Sequence, residues 1–152
     1  REKELFQPGE RGFEVVDVAG VPMGMMVCFD WIFPESARTL ALKGARVILH
    51  PSNLVLPHCP DSMPVRCIEN RVFAVTANRI GTEERDADPL TYIGMSQVVD
   101  PSGRILARAG RTEEVATVVE IDPDRAADKY ITARNHLMDD RRPHFYAQVE
   151  EV

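Results

Sequence analysis

Residues 24–38 read Gly24-Met25-Met26-Val27-Cys28-Phe29-Asp30-Trp31-Ile32-Phe33-Pro34-Glu35-Ser36-Ala37-Arg38. An apolar run ends on a thiol, a short aromatic turn follows, and a helix opens at Pro34. Pro suits the first helical position because its missing N–H has no partner there in any case. Glu35 adds a favourable charge to the first turn, and Ala37, Leu40, Ala41 and Ala45 keep one face apolar until Gly44 ends the helix. The order is strand, thiol, turn, helix. A thiol at the carboxyl end of a strand and just before a helix N-terminus meets unpaired N–H groups that favour a thiolate, a frequent placement for a nucleophile. The bland alternative is that Cys28 is a small buried hydrophobe, as a Cys in an apolar run often is.

Working outward, the alternating residues 13–18 predict a half-exposed strand, Ala19-Gly20 a tight turn, and the apolar residues 21–28 a strand covered on both faces. Residues 46–50 predict the next strand. Strand, helix and strand with a short return imply a βαβ unit with parallel neighbours, so Cys28 and His50-Pro51-Ser52-Asn53 meet at one carboxyl edge, where open α/β layers bind ligands. Residues 54–60 are expected to line a pocket. Residues 61–71 read as a helix capped by Asp61, with Val65, Ile68 and Val72 as its apolar stripe. A buried strand over 73–77, an acidic solvent loop over 82–89 and a strand over 93–99 follow. Asp100-Pro101-Ser102-Gly103 then turns into a hairpin partner over 104–107. Residues 115–121 predict a last strand, Asp122-Pro123 a short helix, and 134–152 a polar docking tail anchored by Phe145 and Tyr146.

The chain has 152 residues, 44% of them apolar, a net charge of −6 and a pI near 5.2. That suffices for one domain with a core. The basic residues form no run, which argues against nucleic-acid or anionic-membrane partners, and no apolar stretch approaches the ~18 residues of a membrane span. Cys28, Cys59 and Cys67 are an odd number without metal-ligand spacing, and the four histidines form no cluster with them. This predicts a reducing, cytoplasmic setting with no metal.

The run from Cys28 to Arg38, followed by Gly44-Ala45 and Pro51-Ser52-Asn53, resembles the nucleophile region of the nitrilase superfamily, the carbon–nitrogen hydrolases. Phe6-Gln7-Pro8-Gly9, Arg66-Cys67-Ile68-Glu69-Asn70, Ala77-Asn78-Arg79-Ile80-Gly81, Gly94-Met95-Ser96 and Arg141-Arg142-Pro143 with Tyr146 resemble further ordered motifs of that family. The resemblance implies an α/β fold, half of a four-layer αββα sandwich, with a mixed sheet and helices on one face. It also implies a Glu, Lys, Cys triad with a second Glu nearby and no organic cofactor. The first Glu and the Lys belong to the family's N-terminal half, so residues 1–152 are expected to be the C-terminal part of the domain, and inactive alone.

By the same resemblance, Cys28 is the nucleophile that attacks a nitrile, amide or N-carbamoyl carbon, and the backbone N–H of Phe29 is an oxyanion donor. Glu2 matches the second Glu, with Glu4 as the competing alignment, and a homodimer or larger assembly is implied. Trp31 and Asn53 are candidate pocket residues, with packing as the equal alternative for an aromatic beside such a turn. Asp30 is expected to cap the turn backbone, Glu35 and Arg38 to pair within their helix, and Glu69 and Asn70 to be buried polar groups.

Two rivals stand beside this reading. In the first, His50 activates Cys28 directly as a Cys/His dyad. In the second, the chain is a truncated or pseudo-enzymatic interaction module, because half a sandwich exposes an apolar sheet face.

Overall fold

The computed structural model describes residues 2–84 and 89–149, with side chains from Glu4 onward. After a short helix α1 (Glu2–Leu5), strands β1 (Val15–Val18) and β2 (Val21–Met25) form an antiparallel hairpin. Helix α2 (Pro34–Leu42), β3 (Val47–Ser52), helix α3 (Cys59–Asn70) and β4 (Phe73–Asn78) follow. β2, β3 and β4 are parallel neighbours, as the βαβ reading requires. After a separate hairpin of β5 (Ile80–Glu83) and β6 (Leu90–Ile93), strands β7 (Gln97–Val99) and β8 (Ile105–Arg108) complete a six-stranded mixed sheet of order β1-β2-β3-β4-β7-β8.

Pleating gives the sheet two unlike faces, because successive side chains point opposite ways. Ile48, Ala74 and Val99 bury one face against Ala37, Leu40 and Ala41 of α2 and Met63 and Cys67 of α3. Gly24 lets α2 approach this face, since a Cβ there would lie 2.6 Å from Leu40 Cδ2. The other face carries Val47 and Phe73, closed at one end by Ile121 and Ala126. It continues into half-buried Met23, Leu49, Val75 and Leu106 and the exposed Met25. Both helices thus lie on one face of the mixed sheet.

Several boundaries differ from the sequence reading, each for a physical reason. β2 stops at Met25, so Cys28 opens a 3-10 helix (Cys28–Ile32) instead of ending a strand. α3 begins at Cys59, with Pro60 in its first turn and Asp61 inside it. Its buried face is Cys59, Pro60, Met63, Cys67 and Asn70, which leaves Val65 and Ile68 about half exposed. Pro64 lies inside this helix and cannot donate to the carbonyl of Pro60. That oxygen instead accepts from Gln97 Nε2 at 3.0 Å and Arg108 Nη2 at 2.8 Å.

The strand expected over 93–99 is broken by Gly94 and Met95, both at positive φ, where the chain crosses from the small hairpin to the main sheet. Thr82 and Glu83 of the expected loop are ladder residues, and 85–88 lie outside the described residues. Residues 115–121 form no strand: Val118 is 96% exposed, and β propensity without a paired edge does not make a ladder. The turn at 100–103 forms as expected. Burial alone would raise the Asp100 carboxyl, but donors from Ser102, Arg104 and Arg125 outweigh it and hold Asp100 below the usual range. Asp122 caps the 3-10 helix Pro123–Ala126, also as expected.

The last segment makes a small hairpin of β9 (Tyr130–Thr132) and β10 (Asn135–His136). It then returns toward α2, where Arg141, Tyr146 and Val149 border a hollow of about 570 Å³. Residues 150–152 of the expected tail lie outside the described residues. Among the described residues no helix is long and apolar enough to cross a membrane, and no group of three or more His, Cys, Asp or Glu could hold a metal ion.

Candidate active site

Cys28 lies where β2 gives way to α2, at the carboxyl edge of the parallel strands. Met26 N–H donates to Leu49 O at 3.0 Å, extending the β2–β3 ladder by one bond before the chain turns away. Cys28 then takes φ +48, a left-handed conformation that costs a non-glycine residue roughly 1 kcal/mol and persists only where its surroundings enforce it. Three sets of contacts enforce it here. The Asp30 carboxylate accepts from Val27 N–H at 2.8 Å, and Asp30 N–H donates to Val27 O at 3.1 Å, so Asp30 does cap the turn as expected. Arg66 on α3 donates to the Trp31 and Ile32 carbonyls, each at 3.2 Å, while pairing with Glu69 at 3.1 Å. The third contact is His50.

His50 and Thr76 are register partners on β3 and β4, so their side chains are neighbours on the helix-covered face. His50 Nε2 lies 2.8 Å from Cys28 O and 3.0 Å from Ser52 Oγ, and Nδ1 lies 3.2 Å from Thr76 Oγ1. A carbonyl can only accept, so Nε2 carries the proton and Nδ1 accepts from the Thr76 hydroxyl; this tautomer is assigned from the partners. The ring is 1% exposed, and burial lowers its pKa from 6.5 against the smaller opposing pull of the Cys28 carbonyl, so it is held neutral. The Cys28 thiol is not among its hydrogen-bond partners.

Cys28 is half-buried, whereas Cys59 and Cys67 are fully buried. Burial, with a lesser contribution from Cys28, pushes the Cys59 thiol up to about 12, and burial raises Cys67 as well, so both are inert thiols at neutral pH. Of the three, Cys28 is the one that is not fully buried. Phe29 N–H, in the first turn of the 3-10 helix, donates to no acceptor among the described residues, as the first donors of a helix commonly do not. A thiol and an unspent N–H on consecutive residues are the parts that addition to an electrophilic carbon calls for.

A family profile described as carbon-nitrogen hydrolase matches residues 1–130. The chain belongs to that family. A nitrilase of Pyrococcus abyssi is 50% identical over 146 residues, 96% of this chain and 54% of its own length. A carbon-nitrogen hydrolase from Helicobacter pylori G27 superposes with a TM-score of 0.88 at 30% identity, covering 99% of this chain and 56% of that one. An amidase mutant from Nesterenkonia sp. AN1, TM-score 0.78 at 29% identity over 97% of this chain and 51% of its own, bears the acetamide moiety of fluoroacetamide covalently on its active-site cysteine. The chain spans about half the length of the curated relatives it matches.

Within this carbon-nitrogen hydrolase chain, the expected site residues fall into two groups. Cys28, Phe29, Asn53 and His50 gather at the carboxyl edge, and Asn53 is exposed at the end of β3. Trp31 points inward instead. It is 4% exposed in the core cluster with Ala37, Leu54 and Met63, and its Nε1–H has no acceptor among the described residues. Glu2 opens α1, but its side chain lies outside the described residues.

Glu35 and Arg38 make no ion pair among the described residues; Arg38 donates to Glu69 O and to Met138 Sδ, so it links α2 to α3 and to the C-terminal segment. Asn70 is buried as expected, with Nδ2 donating to Arg66 O at 2.9 Å. Sequence reasoning assigned no task to Arg66, Thr76 or Asn78. Asn78 accepts from Leu54 N–H at 2.8 Å and donates to Gly94 O at 2.7 Å, fixing the start of the loop after β3. The motifs around Arg66 and Asn78 were visible, but their partners lie 16 to 35 residues away.

Proposed function

We propose that this chain is the C-terminal part of a cysteine-dependent hydrolase acting on a non-peptide C–N bond of a nitrile, amide or N-carbamoyl compound. The observation that carries the reading is Cys28, the one thiol of three not buried, held at positive φ beside the unspent N–H of Phe29 in a carbon-nitrogen hydrolase chain. The Cys28 thiolate attacks the electrophilic carbon. From a nitrile this gives a thioimidate; from an amide it gives a tetrahedral adduct that expels the amine and leaves a thioester. Phe29 N–H donates to the oxygen or nitrogen on which negative charge develops. On the nitrile route a first water adds to the thioimidate and ammonia leaves, giving the thioester; on either route a further water then hydrolyses the thioester, releasing the acid and restoring the thiol.

The base that takes the Cys28 proton and returns it to the leaving nitrogen is a Glu of the N-terminal half, with its Lys as a further donor and Glu2 as the second Glu. Asn53 borders the substrate, and Trp31 supports the turn from beneath. The N-terminal half covers the open face of the sheet, and the whole works in the cytoplasm as a homo-oligomer without metal or organic cofactor.

The test is ammonia release by the full-length protein over a panel of nitriles, amides and N-carbamoyl compounds. Cys28→Ala is expected to cut turnover by more than about a thousandfold with the fold intact; activity retained in that variant overturns the assignment. The open, apolar sheet face is the observation behind a second reading, a non-enzymatic interaction module. Upstream sequence bearing a Glu at a strand end and a Lys-x-His-Leu segment would dismiss it.

A further inference from the structure

We infer that His50 is a positioning residue for Cys28: it holds the nucleophile in its left-handed conformation by donating from Nε2 to the Cys28 backbone carbonyl, with the Thr76 hydroxyl holding the ring from its other nitrogen. The inference rests on the proposed role of Cys28 as nucleophile.

Three observations converge on it. The bond is short, 2.8 Å, and it is made to the residue whose backbone is in the left-handed region. The ring is 1% exposed and sits in a lattice of its own, with Thr76 Oγ1 on one nitrogen and Ser52 Oγ beside the other, so the imidazole cannot rotate toward the thiol without leaving buried partners unpaired. The strand register that brings His50 beside Thr76 belongs to the rigid centre of the sheet, between two parallel ladders. Cys28 by contrast belongs to a five-residue 3-10 helix outside the strand ladders. His50 therefore fastens the nucleophile's turn to the sheet through the Cys28 carbonyl, while the thiol and the Phe29 N–H donate to no acceptor among the described residues. No proton moves through His50 in this role. It acts through Cys28 and touches no reacting atom.

This separates a positioning role from the dyad, in which the same ring would take the thiol proton. Gln places an amide N–H near the position of Nε2, whereas the shorter Asn does not reach it. In the full-length protein, His50→Gln is expected to keep kcat within about threefold of wild type, and His50→Asn to lower kcat about 30-fold with little change in KM and an unshifted pH profile, as expected when a reacting group is displaced. Thr76→Val, which removes the hydroxyl that holds Nδ1 and spares the ring, is expected to lower kcat severalfold in the same pattern.

Alkylation of Cys28 by iodoacetamide is read alongside in every variant, and it is expected to slow in His50→Asn and recover in His50→Gln. If His50→Asn works at the wild-type rate, the inference fails. It fails equally if His50→Gln is as impaired as His50→Asn and both lose the acid limb of the pH profile, for that result makes His50 the base. If the wild-type protein releases no ammonia from any compound, the proposed hydrolysis fails. The alkylation rates then decide the positioning role alone, and equal rates in the two His50 variants overturn it. Should His50→Asn fail to fold, Thr76→Val and His50→Gln carry the same comparison: wild-type kcat and alkylation in Thr76→Val, or a His50→Gln that has lost the acid limb, overturns the inference.

Discussion

The two faces of the sheet are built from the same strands but in different ways. On the helix-covered face, Ile48, Ala74 and Val99 meet two helices, and polar side chains there have partners in the sheet: His50 with Thr76 of the neighbouring strand and Ser52 of its own, and Gln97 with Arg108 of the neighbouring strand. On the other face, only Val47 and Phe73 are closed off, by Ile121 and Ala126, and the apolar surface runs on through Met23, Leu49 and Val75 to the exposed Met25. The first face makes a self-sufficient core and positions chemistry. The second has the composition of an interior and the exposure of a surface. A sheet of this kind teaches that apolar content alone does not say which side a chain completes by itself.

That contrast can be broken most sharply by truncation. Ile48→Ala on the covered face should cost about 3 kcal/mol, whereas Met25→Ser on the open face should change the stability of this chain by less than about 0.5 kcal/mol. Urea unfolding checks both, and equal losses would mean that the open face is covered after all.

A smaller effect comes from pH. The folded pKa of His50 lies below its unfolded 6.5, so the unfolded chain takes up the proton first. The stability contributed by the neutral ring is therefore full above pH 6.5 and lost as pH falls from there through the folded value. Urea midpoints measured between about pH 5 and 8 should decline on the acid side in wild type and less steeply in His50→Gln. A slope unchanged by that substitution would show that another group on this face carries the titration.

A small effect is also expected at Trp31. Among the described residues its Nε1–H has no acceptor, so Trp31→Phe should lose packing and gain by removing an unpaired donor, leaving stability within about 1 kcal/mol of wild type. A loss of several kcal/mol would mean that the indole N–H does have a partner.

Much of the fold was legible because its signals are local. Pro34, Glu35 and the spaced alanines specify α2, and Asp100 to Gly103 specify a turn whose donors all come from within four residues, apart from Arg125. The phase of α3 was not legible. Val65 and Ile68 form as good a stripe as Met63 and Cys67, and only the sheet and α2 choose between them. Residues 115–121 have the composition of a strand, but ladder formation depends on a free neighbouring edge that composition does not encode. At the site, the thiol and its flanking motif were readable, but the positive φ of Cys28 was not. Nothing in Val27-Cys28-Phe29 demands it, and its causes are Asp30, Arg66 and His50, two of which arrive from other elements. Trp31 turned inward for a similar reason, since a 3-10 turn with two flanking aromatics exposed, Phe29 and Phe33, buries the third.

The proline in the middle of α3 has a consequence for how this edge of the molecule tolerates change. By declining one hydrogen bond, Pro64 leaves the oxygen of Pro60 for Gln97 and Arg108, so the first turn of α3 is bolted to a hairpin some forty residues downstream. The loop over residues 53–58 therefore has both ends fixed by others: Asn78 holds its departure at Leu54 and the Gln97–Arg108 pair holds its landing. Insertions and substitutions between those points can remodel the rim beside Cys28 without moving α3. Diversification of the rim is thereby uncoupled from the integrity of the scaffold.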